Sequence, residues 1–196
     1  MTLRSHSIVR NVLGLHAQRI LADSSRFLFE HETYYGVDHS DSSPYMSSCL
    51  FQWYGFPAFE SLLIQLQPYA EAFAETSLIP TYSYLRIYGN GSSLAAHLDR
   101  GACEISITYC VEPEQGYSYP IWIEDYEGNH HEVFLEQGDF MIYRGKELKH
   151  WRNAYERNKH TQCFLHYVLD KPENQLLKYD GRPGLGFGPG SKNEQR

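Results

Sequence analysis

At 196 residues the chain is long enough to bury one sizeable core and short enough to be a single domain. Its hydrophobic and charged fractions, 42% and 21%, are those of a globular protein. A net charge of −7, with no Lys/Arg run longer than two, argues against a nucleic-acid surface, which needs a basic footprint to neutralise phosphates.

In chain order, residues 8–13 predict a short strand and residues 16–27 a helix with Ile20, Leu21 and Phe27 on its inner side. Residues 36–48 are loop-like, rich in Ser and Asp. Over 59–76, Phe59, Leu62, Leu63, Leu66, Ala70 and Phe73 recur at i, i+3, i+4 spacing, which predicts an amphipathic helix covering one face of a sheet. Beyond Pro80 the pattern changes to strands at 82–88, 105–111, 121–124, 132–135, 140–143 and 161–168. Glu127-Gly128-Asn129 is a hairpin-turn signal, and His130-His131 beside it reads as exposed, with no metal role. Helices followed by a run of strands predict an α+β, mainly β domain over 1–180. Residues 181–196, rich in Gly and Pro at their start, are expected to form a flexible tail. The cysteines, Cys49, Cys103, Cys110 and Cys163, have no metal-ligand spacing and read as small buried hydrophobes. No apolar stretch approaches a membrane span and no signal-peptide core is evident, so a reduced, cytoplasmic setting is expected.

The chemistry concentrates in His97-Leu98-Asp99 and the distant His150. Two imidazoles and one carboxylate can occupy one face of an octahedral metal and leave three positions open, an arrangement suited to Fe(II) and O₂. A structural zinc site would close its shell with four ligands, usually including thiolates. An HxD string alone proves little: His39-Ser40-Asp41 is a second copy, in a polar loop with no strand leading into it. His97 instead follows a strand and a Gly89-Asn90-Gly91 turn, and precedes the alternating run of 105–111.

Taken together, Tyr88-Gly89-Asn90-Gly91, His97-Leu98-Asp99, 105–109, Gln137-Gly138-Asp139-Phe140 and Leu148-Lys149-His150 resemble the Fe(II)/2-oxoglutarate-dependent oxygenases, nearest to their prolyl-4-hydroxylase-like branch. The resemblance implies a double-stranded β-helix (jelly-roll) core buttressed by the N-terminal helices, with His97, Asp99 and His150 as iron ligands at its open end. It implies Fe(II), 2-oxoglutarate and O₂ as the reaction's cofactors, and allows ascorbate as a further reductant. Tyr88 and Tyr109 match positions whose phenols bond 2-oxoglutarate, although core tyrosines of a barrel explain them equally well.

The cosubstrate's far carboxylate needs a cation near the last strand. Lys159 with Thr161, two apart and so on one face, is the first choice. A slip of one residue would substitute His160 with Gln162, and Arg152, two past the distal His, is the other cation in reach. Trp122 and Trp151 are candidates for a pocket wall, with core packing at least as good an account. Arg86 and Arg100 are candidates for holding a substrate carboxylate, although surface solubility is the better account of Arg86.

The implied activity is hydroxylation of a C–H bond in an amino acid, peptidyl residue or small metabolite, with release of succinate and CO₂. Related halogenases lack the carboxylate that Asp99 supplies. Two rivals remain: a nucleic-acid demethylase on the same core, disfavoured by the charge and by the poor spacing of Arg152 and Arg157, and a non-catalytic cupin-like binder. The expected partner is a small molecule or peptide, with no nucleic acid and no membrane.

Overall fold

A computed structural model describes residues 4–34 and 44–188. His39 and Asp41 of the second HxD string, like residues 189–196 of the expected tail, lie outside the described residues. The elements are β1 (His6–Val9), α1 (Leu15–Tyr34), β2 (Phe51–Tyr54), α2 (Pro57–Ala74), β3 (Leu78–Tyr88), β4 (Leu94–His97), β5 (Ile105–Glu112), β6 (Ile121–Glu124), β7 (His130–Val133), β8 (Phe140–Tyr143), β9 (His150–Arg152) and β10 (His160–Leu169). A 3₁₀ segment, Pro172–Gly181, follows. No helix of the described residues is long and apolar enough to cross a membrane.

The strands form two antiparallel sheets, a six-stranded one in the order β1-β8-β5-β10-β3-β2 and a four-stranded one in the order β4-β9-β6-β7. This is a double-stranded β-helix. The period of two along each long strand decides which residues meet which neighbours. On β3, β5 and β10 one parity (Leu85, Ile87, Ile105, Ile107, Tyr109, Cys163, Leu165, Tyr167) packs against α1 and α2 in the main core. The opposite parity faces the four-stranded sheet: Cys110 and Tyr143 pack with Ile121 and Ile123, while Tyr88 and Phe164 pack with Leu94, Tyr119 and Tyr155.

Helix α2 buries every apolar residue that the spacing predicted. In α1 the inner face differs from the expected one. Leu21, Ala22 and Ser25 are buried, whereas Ile20 and Phe27 are 62% and 67% exposed. Leu21 is buried as expected, but the inner side runs through Ala22 and Ser25, with Leu28 and Phe29 packed against the core, rather than through Ile20 and Phe27. The β6–β7 hairpin turns as expected. Asp125 accepts from the backbone N–H groups of Glu127 and Asn129, and Gly128 supplies the positive φ of 82°. His130 and His131 belong to β7 rather than to the turn, beside Glu124 and Asp125.

Strands β2, β4 and β9, of three or four residues, are not predicted by the sequence pattern; pairing with neighbouring strands makes them strands. The glycine-rich segment after the 3₁₀ turn is tied down as far as Phe187. Arg182, 3% exposed, pairs with the buried Glu60 at 2.7 Å and donates to the carbonyls of Thr81, Tyr179 and Phe187. Its composition suggests looseness, but one buried ion pair anchors it.

Candidate metal centre

The two histidines arrive from neighbouring strands. β4 ends at His97 and β9 begins at His150, and the antiparallel register sets them directly opposite each other, ring centroids 4.3 Å apart. Asp99 follows two residues later, its N–H bonded to the Gly145 carbonyl at 2.9 Å. Asp99 Oδ1 lies 3.6 Å from His97 Nε2 and 3.4 Å from His150 Nε2.

The other ring nitrogens settle the tautomers. His97 Nδ1 is 2.9 Å from the Ala95 carbonyl and His150 Nδ1 is 3.0 Å from the Leu148 carbonyl. A carbonyl only accepts, so each Nδ1 donates, which leaves each Nε2 as the nitrogen a metal would take, its ring oriented by the backbone carbonyl behind it. Tyr45 stacks on His97 at 4.9 Å, and Tyr143 meets His150 edge-on at 4.7 Å, which fixes both rings. Burial alone would raise the Asp99 carboxyl; with no metal bound, the charge of protonated His150 and Nε2–H donation from His150 and His97 outweigh it and hold Asp99 well below the usual carboxylate range, a role a divalent cation would take over. Two neutral imidazoles and one ionised carboxylate, converging from three directions, are a donor set that fits a divalent metal such as Fe(II).

A cleft of about 270 Å³ opens over these atoms, walled by Tyr82, Tyr84, Arg86, Arg100 and Phe164. Arg86 is therefore a site residue rather than a solubilising one; it is 8% exposed on β3 and lies over the rings of Tyr84 and Phe164. A signal for this was present, because Arg86 shares strand parity with Tyr82, Tyr84 and Tyr88. Arg100 stacks on Tyr82 at 4.6 Å and is gripped end-on by Asp180, at 2.7 and 2.9 Å, from the 3₁₀ segment. Trp122 and Trp151 stack on each other at 6.0 Å and do not line the cleft; their strand neighbours Ile121, Ile123 and His150 take the inner face.

The expected cosubstrate residues divide by parity. Lys159 is a third exposed, pairs with Glu112 at 3.8 Å and lies over Phe29, away from the triad. Thr161, opposite Ile87, and Tyr109, stacked near Phe140, both belong to the helix-facing side. Strand parity therefore turns Thr161 and Tyr109 away from the triad, with their buried hydroxyls unpartnered among the described residues.

Tyr88 and Arg152 do face the interior. Arg152, 2% exposed, lies between the rings of Tyr119 and Tyr88 and donates to the Tyr119 carbonyl at 2.6 Å. Its Nε and the Tyr88 hydroxyl have no hydrogen-bond partner among the described residues. His160 and Gln162 face the same way, linked by a 2.9 Å bond, and Gln162 donates to Thr108 at 2.7 Å. Burial, reinforced by the Arg152 charge, lowers His160 to about 3, so it is neutral.

No protein-family model matches the chain, and no curated protein matches it by sequence. Solved structures do match by shape. A Pseudomonas putida prolyl-4-hydroxylase superposes with a TM-score of 0.62 at 13% identity, over 84% of this chain and 92% of that one. EctD from S. alaskensis, crystallised with 2-oxoglutarate and 5-hydroxyectoine, gives 0.65 at 12% identity, over 87% and 76%. The non-heme alpha ketoglutarate dependent carbocyclase SnoK from nogalamycin biosynthesis gives 0.66 at 10% identity, over 99% and 90%. The protein thus has the double-stranded β-helix fold of the Fe(II)/2-oxoglutarate-dependent oxygenases.

Proposed function

We propose that the chain is an Fe(II)- and 2-oxoglutarate-dependent dioxygenase that oxidises a C–H bond of a small molecule or peptide. The observation that carries this reading is the convergence of His97 Nε2, His150 Nε2 and Asp99 Oδ1, with both imidazoles oriented by backbone carbonyls and with an open cleft on one side. The bound iron would supply the reductive activation of O₂, with 2-oxoglutarate, in its decarboxylation, furnishing two of the electrons.

The chain's own residues do the rest. His97, His150 and Asp99 hold the metal from one face. Arg152 is the better anchor for the far carboxylate of 2-oxoglutarate: a buried guanidinium that no carboxylate of the described residues pairs with, beside the unpartnered Tyr88 hydroxyl. The aromatic walls, Tyr82, Tyr84 and Phe164, exclude water above the triad and leave room for a compact substrate. A net charge of −7 favours a small-molecule or peptide substrate over nucleic acid.

Anaerobic titration with Fe(II) and 2-oxoglutarate, followed by succinate release in air, tests the reading. A visible charge-transfer band that needs both components, absent in Asp99→Ala, supports it; no band and no succinate overturn it. Losing one side of a buried charge-assisted pair costs about 2–5 kcal/mol. Arg152→Met should therefore weaken 2-oxoglutarate binding at least tenfold, roughly, while Lys159→Ala leaves it unchanged. The reverse result would return the anchor to Lys159.

A further inference from the structure

We infer that His166 is a positioning residue for the metal centre, acting through Ser106 on the outer oxygen of Asp99. The inference rests on the metal-site reading of His97, Asp99 and His150.

Ser106 on β5 and His166 on β10 are Cα partners in the antiparallel register, on the inward parity. Asp99 Oδ1 faces the two ligand imidazoles, and Oδ2 lies 2.8 Å from Ser106 Oγ. An ionised carboxylate only accepts, so the Ser106 hydroxyl donates to Oδ2. Ser106 Oγ is also 3.0 Å from His166 Nδ1. With its one proton committed to Asp99, that oxygen accepts, so His166 carries its proton on Nδ1. Directed donation therefore runs His166 to Ser106 to Asp99, and each bond polarises the next.

The packing keeps this arrangement in place. His166 is 6% exposed and its ring lies 4.6 Å from that of Tyr82. Burial lowers His166 to about 4, so the ring is a neutral, single-tautomer donor. Cys103 Sγ and His166 also fall near Asp99, but Cys103 is engaged by the Tyr82 hydroxyl at 3.2 Å, and burial pushes its thiol up.

The consequence is geometric. A carboxylate free to rotate can chelate with both oxygens and take one of the three positions the chemistry needs open. With Oδ2 held by Ser106, Asp99 offers Oδ1 alone. Neither residue is a ligand in this reading; both act on the metal through Asp99.

The probe is Mn(II) alone, titrated into the full chain by calorimetry, with circular dichroism to confirm the fold. His166→Leu and Ser106→Ala should each weaken Mn(II) about 10- to 100-fold, the range typical of outer-shell partners of metal ligands. The double variant should be no weaker than the worse single one, because both remove the same chain of donors. His166→Asn, which returns an N–H near Nδ1, should recover most of the affinity. Co(II) spectra should move from a lower to a higher coordination number in His166→Leu, a change that loosened packing would not produce.

Folded His166→Leu protein with wild-type Mn(II) affinity and an unchanged Co(II) spectrum would overturn the inference. So would two metal ions per chain with the second lost in Cys103→Ser, since Oδ2 would then be a ligand itself. Asp99→Ala separates the two levels: wild-type Mn(II) binding there removes the metal site itself, whereas its loss there with no effect at His166 removes only the relay.

Discussion

Gly145 gives the sharpest test of how the carboxylate is seated. Its backbone has no positive φ, so alanine is conformationally acceptable there and any penalty is steric. A Cβ at this position would lie 2.1 Å from Asp99 Oδ2 and 2.6 Å from Ser106 Oγ, against an ordinary contact of about 3.4 Å. Oδ2 must therefore retreat by more than about 1 Å, and Oδ1, the proposed ligand atom of the same rigid carboxylate, swings with it, while metal–ligand distances tolerate only about 0.2 Å. Sliding the backbones apart instead would break the 2.9 Å bond from the Asp99 N–H to the Gly145 carbonyl. Gly145→Ala thus displaces a ligand, and Mn(II) or Fe(II) affinity should fall more than about 100-fold, some 2.7 kcal/mol. Overpacking adds roughly 1–3 kcal/mol of destabilisation, or a Tm lower by about 2–12 °C at this length. Anaerobic calorimetric titration measures the first effect and thermal unfolding of the metal-free protein the second. Gly101→Ala is the control, because a Cβ there meets nothing within 4 Å. Wild-type metal affinity in Gly145→Ala would refute the seating of Asp99 described above.

Two further outcomes follow from buried charge. Arg182→Ala strands the Glu60 carboxylate, 2% exposed, and should destabilise the protein by about 3–5 kcal/mol in urea unfolding, whereas a loss under about 1 kcal/mol would mean the terminal segment is not anchored by this pair. His160 binds its proton only near pH 3 when folded but near 6.5 when unfolded, so its contribution is full above pH 6.5 and is lost as pH falls toward about 3. In the metal-free protein, His160→Gln should flatten the decline in unfolding free energy between pH 6.5 and 4; an unchanged slope would count against a buried neutral imidazole.

The HxD string was legible because its strand context is local: the run of 82–88, the glycine turn and the run of 105–111 lie within thirty residues. The same locality made the α2 face readable. What the sequence pattern did not convey depends on pairing partners far along the chain. Strands β4 and β9, three or four residues long, exist through each other, and they create the apposition of His97 and His150. The cosubstrate residues went astray for a different reason, since the signal was present in strand parity. Tyr109 shares parity with Ile105 and Ile107, the apolar set that faces the helices, and Thr161 shares it with Cys163 and Leu165. Reading those strands as two-sided would have excluded both and retained Tyr88.

On β10 the interior receives His160 and Gln162, which bond to each other, with Gln162 also bonded to Thr108, while His160 Nδ1 has no partner among the described residues. Charge inside this part of the barrel comes from Arg152, whose place on β9 follows from His150 by the strand period of two. Such a guanidinium, at 2% exposure with an unpartnered Nε, is costly to maintain for packing alone, since aliphatic or aromatic side chains would fill the space between Tyr88 and Tyr119 without desolvating a charge. An anionic ligand bound beside Arg152 would repay that desolvation. The strand register that sets His150 opposite His97 thus also points Arg152 inward two residues further on, so the proposed metal ligand and the proposed anion anchor share one short strand.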